Sequence, residues 1–192
     1  PKTIDPEVRH QIARNLTRAA DGLAGIYERT GVEIRLCLEP EPWTTLETTQ
    51  DVLTFWDTYL DGHRASVQTH LGLCYDCCHQ AVHFEDPGEA IARLHAAGIV
   101  IGKIQVSSAL HIENPSDPVR WSALTGFMEP RFLHQVVAQT PTGIIKCLDL
   151  ERLDDMDDNW RSAAAIRCQP RRPRPGFARA AQSPRRAAAH NC

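Results

Sequence analysis

The chain has no apolar run approaching the roughly 20 residues that a membrane-spanning helix requires, and its 192 residues are 42% hydrophobic and 23% charged. That balance excludes a chain disordered throughout and fits one soluble domain of moderate size. The first residues, Pro1-Lys2-Thr3-Ile4-Asp5, show neither an initiator Met nor a basic stretch followed by an apolar one. No secretory leader is expected there; we expect a cytoplasmic protein, and a chain that begins part-way through something larger. A second cysteine pair is also missing. Of seven cysteines, Cys74 and Cys77 make the one C-x-x-C, with Cys78 beside them. Cys37, Cys147, Cys168 and Cys192 offer no second pair at zinc-finger spacing. An odd count in an intracellular chain with its own core argues against a disulfide framework. Small buried thiols lining a strand are the expectation.

Acid is what the end of the chain lacks. Residues 1 to 160 hold 13 Lys+Arg against 24 Asp+Glu, a balance of −11, whereas residues 161 to 192 hold eight Arg and no acid. This end, "RSAAAIRCQPRRPRPGFARAAQSPRRAAAHNC", has only Ile166 and Phe177 as large apolar side chains. It cannot bury enough surface to order itself, so residues 162 to 192 are expected to be a disordered tail. Three origins are open: a basic arm for nucleic acid or an acidic surface, an ordinary solvated tail, or a GC-rich reading frame translated out of register. We favour the last.

The acidic body alternates helix and strand. Asp5-Pro6-Glu7 supplies a cap, a first-turn proline and an acid ahead of Val8, Ile12, Leu16, Ala19, Leu23 and Ile26, spaced by three and four, and Gly31 ends the run. "VEIRLCLEPEP" reads as a strand of about six residues stopped by prolines. "TTQDVLTFWDTYLDG" is a second helix capped by Thr48 or Thr49, "LGLCYD" a second strand, and "EDPGEAIARLHAAG" a third helix with Asp86 as cap. "IVIGKIQVS" is a strand apolar on both faces, and "RFLHQVVA" a fourth strand. Strands buried on both sides and separated by helices indicate parallel βαβ units and an α/β fold.

In such folds the chemistry sits past the carboxyl ends of the strands. Period-two alternation groups Cys37 with Glu39, Cys74 with Asp76, Lys103 with Gln105, and Phe132 with His134, each pair facing inward at one level. A Glu, an Asp, a Gln and a His at one mouth make an oxygen-and-nitrogen shell for Mn²⁺, Mg²⁺ or Zn²⁺. Glu41 shares the parity of Glu39 and is its alternative. By contrast Asp86 is read as a cap, Glu85 as solvated, and His83 as a surface residue with a supporting role at the site as the rival reading.

"LCLEPEPW", "LGLCYDCCH" and "GKIQVSSAL", in that order and spacing, resemble strands four to six of the xylose-isomerase-like, or sugar phosphate isomerase/endonuclease IV, (β/α)₈ barrels. Within that superfamily they look most like the metabolite-traffic protein EboE family. The resemblance covers about residues 5 to 161, and the D-x-x-H of Asp76 and His79 is its most specific element. It implies a partial TIM barrel of about strands four to seven with their helices. It also implies Glu39, Asp76 and Gln105 as metal ligands, and His79 as a group for substrate or a second metal. "RFLHQV" resembles strand seven, which makes His134 a site residue. The first three βα units are absent, and where a His-rich strand eight is expected after "NWR" (Asn159-Trp160-Arg161) the Arg/Ala/Pro stretch begins. The metal shell of this chain is therefore expected to lack its last ligand, and the fragment to be inactive.

The function implied is trafficking or processing of a secondary-metabolite precursor, with a small-molecule metabolite and proteins of the same pathway as partners. The alternative is a metal-dependent sugar isomerase or epimerase working by proton transfer through an enediolate, with His79, Lys103 or His134 as acid/base groups. An endonuclease IV-like repair enzyme comes third. It would want several His ligands and a positive groove, and a body at −11 does not favour nucleic acid. For the tail, the coding DNA beyond the Trp160 codon is decisive: one of the other two frames is expected to encode a strand-like, histidine-containing segment. If neither does, the basic-arm reading returns.

Overall fold

A computed structural model of the chain describes residues 5–60, 64–128, 134–155, 160 and 162–169. It begins with α1 (Pro6–Thr30), where the Asp5 side chain accepts from Glu7 N and Gly31, at φ 71°, closes the helix with its N–H on Tyr27 O. Only glycine enters that left-handed conformation freely. The helix buries Ala13 and Ala20, with Ile12 and Leu16 packed alongside, while Val8, expected on the buried stripe, is 48% exposed. The contact line of α1 is thus turned from the stripe that its large residues mark, and the helix it chiefly packs against is α3 (Ala65–His70), which Asp21 and Tyr27 meet through Ser66 and His70.

A parallel sheet follows. It consists of β1 (Leu36–Leu38), β2 (Leu71–Asp76) and β3 (Ile101–Gln105) in that order, joined by helices as parallel strands require. These are α2 (Thr49–Tyr59) and α3 before β2, then α4 (Cys77–Val82) and α5 (Pro87–Ala96) before β3. Thr48 caps α2 in a capping box with Asp51, and Asp86 caps α5 through Glu89 N. Central β2 is buried along its whole length. One face of the sheet, with Leu38, Leu71, Leu73, Tyr75 and Ile101, packs on Val52, Phe55, Leu94 and Ile99. The other face carries Cys37, Cys74 and Asp76. Across it the Arg35 stem runs to Gln68 O and Leu71 O, both at 2.9 Å. Gly102 is needed there: a Cβ would stand 2.6 Å from Cys37 Sγ and 3.1 Å from Arg35 Cδ. The third strand is not buried on both faces as its composition suggests. It is an edge, with Ile104 55% exposed.

The second layer departs from the expected pattern. β4 (Leu110–Glu113), α6 (Pro118–Thr125), β5 (Val136–Thr140), β6 (Gly143–Cys147), a 3₁₀ turn at Leu150–Asp155 and β7 (Ala165–Cys168) build an antiparallel sheet in the order β4-β7-β5-β6. "RFLHQVVA" is therefore not a fourth parallel strand. Its residues 131–133 lie outside the described residues, and Val136 onward belongs to the antiparallel sheet. The reason is local: Pro141-Thr142 is a two-residue turn that pairs Thr140 with Gly143, and so short a connection permits only antiparallel pairing. Among the described residues the parallel strands number three and no closed barrel forms. No described helix is long and apolar enough to cross a membrane.

The expected disorder from residue 162 onward also fails where the structure can be described. β7 lies between β4 and β5, and Ile166 is fully buried with Trp160, Leu153, Val136 and Ala138. One large apolar side chain and flanking alanines suffice here because the pocket they fill is built by other elements. Residues 170–192, including Phe177, lie outside the described residues.

A buried ion pair is one of the links between the layers. Lys146 on β6 donates to Glu47 at 2.8 Å, and His83 Nε2 stands 3.5 Å from the same carboxylate. His83 is not a surface residue: burial, then the Lys146 charge, pushes its pKa down to about 4. Glu85 is not solvated either. It accepts from Thr49 N and Oγ1 at 3.0 and 2.8 Å, and burial raises its pKa.

Ile166→Ala should cost roughly 2 to 5 kcal/mol of unfolding free energy, read by urea titration; an unchanged midpoint would mean that β7 contributes nothing. The His83 imidazole is held neutral in the fold but takes a proton near pH 6.5 when unfolded. Stability should therefore be full above pH 6.5 and fall as pH drops toward about 4, by about 3 kcal/mol from this group. His83→Gln should flatten that part of the profile, measured by chemical unfolding across the window.

Candidate metal centre

The C-terminal ends of the three parallel strands bring Glu39, Asp76 and Gln105 together. Register makes this happen: Asp76 pairs with Gln105, and Glu39 follows Leu38, which pairs with Leu73. Gln105 Nε2 donates to Glu39 Oε1 at 2.5 Å and to Asp76 Oδ2 at 3.0 Å, so one amide nitrogen answers two carboxylates. Lys103 Nζ donates to Gln105 Oε1 at 3.2 Å and thereby joins the group from its exposed rim. Glu41, the alternative to Glu39, holds the turn after β1 through its backbone, donating to Leu46 O and accepting from Thr44 N.

Asp76 is 8% exposed and its Oδ1 is crowded with donors: Cys78 N at 2.8 Å, His79 N at 3.2 Å and Ser107 Oγ at 2.6 Å. The first two make it the cap of α4. A carboxylate that ends a strand and caps the next helix has a fixed direction, which leaves Oδ2 for the site. His79 is placed by that same helix. Its Nδ1 lies 2.9 Å from Pro40 O, and since a carbonyl only accepts, Nδ1 carries the proton. Nε2 is then the acceptor and takes a hydrogen bond from Gln169 Nε2 at 3.0 Å. Nδ1 is also 3.5 Å from Glu39 Oε1.

Glu39, Asp76 and His79 each offer a ligand atom, all within 4.8 Å of one another, and so could hold a metal ion. The chemistry of the set fits a hard divalent cation: two carboxylates, the imidazole through its unprotonated Nε2 once the Gln169 amide gives way, and, with its amide turned, the Gln105 oxygen. The Gln105 nitrogen between the two acids marks where positive charge is wanted. Cys74, beneath them, is held as the thiol, because burial and then the Glu39 charge push its pKa up.

His134 is not brought to this group. It is buried before β5, with its N donating to Asp149 Oδ1 at 3.2 Å and its Nδ1 3.5 Å from the same oxygen. Two contributors escaped the sequence reading. Ser107 follows β3 in the quoted "GKIQVSSAL" and is chosen by geometry alone. Gln169 lies in the stretch expected to be disordered, where nothing in composition marks it. Of the other described cysteines, Cys37, Cys77, Cys78 and Cys168 are free thiols like Cys74. No family model matches this chain, and neither a curated protein nor a solved structure matches it.

Proposed function

We propose that β1 to β3 are strands four to six of a xylose-isomerase-like (β/α)₈ arrangement. In this reading the group at their ends binds Mn²⁺, Mg²⁺ or Zn²⁺ in a cytoplasmic protein that handles a small metabolite, in the manner of the EboE family: trafficking or processing of a secondary-metabolite precursor, alongside proteins of its pathway. The observation that carries it is the convergence of Glu39, Asp76 and His79 within 4.8 Å. That convergence lies at the strand C-termini, where α/β folds keep their sites.

When bound, the cation supplies Lewis-acid polarisation of a carbonyl or hydroxyl oxygen. The chain's own groups divide the remaining work. Glu39 and Asp76 hold negative charge at the mouth, Gln105 orients both, and the α4 cap keeps Asp76 from turning. His79, with Nδ1 protonated toward Pro40 O, presents a proton on the Glu39 side. A second reading, a sugar isomerase or epimerase, is favoured by one observation: the Lys103 amine sits at the exposed rim, 3.2 Å from Gln105 Oε1, where it could move a proton to or from a substrate oxygen. An endonuclease has less support, because the described group holds one imidazole and the body is acidic.

The shell contains about four ligands where hard cations take about six, so this chain should bind Mn²⁺ or Zn²⁺ weakly. Calorimetric titration should give high-micromolar or weaker one-to-one binding that disappears in Asp76→Ala and Glu39→Gln. Gln105→Glu should strengthen it by adding a third carboxylate. Binding unaffected by these changes, or none at all, would sink the metal reading; tight binding would mean that the shell is complete.

A further inference from the structure

Next to the metal centre, with Ser107 in its wall, lies a cavity of about 500 Å³, lined among others by Tyr75, Ala81, Pro87, Ser108, His111 and Arg167. It falls within the range of small-molecule pockets. It is also a seam between the layers: β2, α4 and the start of α5 supply one wall, β4 and β7 the other. Most of the lining is apolar.

Arg167 is its polar feature, and the structure holds that side chain in place. Nη1 donates to Ala81 O at 2.8 Å and Nε to His111 Nδ1 at 3.0 Å. The guanidinium carbon stands 4.4 Å from the centre of the Phe84 ring, a cation–π stack. Phe84 holds this position at φ 61°, a left-handed conformation costly for a bulky residue and common at ligand clamps. Among the described residues no carboxylate pairs with Arg167. Glu85 also lines the cavity, but both its oxygens are turned to Thr49. His111, accepting at Nδ1 from Arg167, carries its proton on Nε2 as a second donor, and the exposed Ser108 hydroxyl is a third.

We propose that this cavity binds a small organic monocarboxylate. The apolar body rests against Tyr75, Ala81, Pro87 and Ala109, and the carboxylate is taken by the remaining N–H groups of Arg167, whose planar fork suits two carboxylate oxygens. A monoanion is favoured over a phosphate dianion because one guanidinium faces a mostly apolar space, with the Glu85 carboxylate in the same wall. Such a ligand would touch α4 and β7 together and so bind only when the two layers are docked.

The test is a titration of the full chain, without divalent cation, with 4-phenylbutyrate and with its neutral amide, followed by amide ¹H–¹⁵N shifts. Leaving the cation out keeps the result independent of the metal reading. The acid should saturate at millimolar concentration with shifts confined to residues near 75–87, 107–111 and 167, and the amide should bind about tenfold more weakly. Arg167→Met should bring the acid down to the amide's affinity. Because that change also releases β7 from Ala81, a second variant, Ser108→Trp at the exposed rim, should block both ligands while leaving the spectrum otherwise folded. Equal binding of acid and amide, shifts scattered over the surface, no saturation, or unchanged binding in Ser108→Trp would each overturn the proposal.

Discussion

The buried carboxylate of Asp76 is the constraint on which the local architecture rests. A buried charge is tolerated only when hydrogen-bonded, and four donors meet this one: two backbone amides of α4, the Ser107 hydroxyl and the Gln105 amide. Each comes from an element that would otherwise be free to shift. The helix start is pinned to the strand end, the segment after β3 is drawn over β2, and Gln105 is aimed at Glu39. The polar mouth is therefore a consequence of satisfying one side chain. Its geometry would persist whether or not anything binds there.

Around that point the molecule has two layers with different logic. The parallel layer is held by an apolar face against helices. The antiparallel layer has its own core about Trp160 and Ile166, and the two meet through a small cluster of Cys78, Val82 and Val137 and a few polar clamps. One of these is the buried Glu47, with Lys146 and His83. An ion pair so placed adds little net stability against a hydrophobic substitute, but losing one partner leaves the other uncompensated. It thus specifies how the layers sit more than how strongly they hold.

What was legible in the sequence was whatever is decided locally. Asp5, Thr48 and Asp86 cap helices because an acceptor side chain followed by free amides makes a cap in almost any context. The inward parity of Glu39, Asp76 and Gln105 follows from period two on strands whose register is set by apolar neighbours. What was not legible is decided by partners distant in the chain. The sense of β5 depends on the turn at Pro141-Thr142, which the strand itself does not announce. His83 and Glu85 look like solvent residues until Lys146 and Thr49 are brought beside them. β7 looked too poor in large side chains to order, since a composition argument counts what a segment brings and not the pocket already waiting for it. Gln169 and Ser107 belong to the same class, being ordinary polar residues given roles by position.

The place of β7 has a temporal consequence. A strand that comes last in the chain order of its sheet but sits inside it leaves β4 and β5 without a common neighbour until it arrives. A chain growing from its N-terminus can complete the parallel layer early, because all three of its strands precede the second layer in the chain. It must hold the β5-β6 hairpin and β4 apart, with edges unsatisfied, until residues 165–168 emerge and enter between them. Closing such non-local pairings is slow, and waiting edges are what chaperones and aggregation compete for. During synthesis, the second layer is the interval of greatest exposure for this protein.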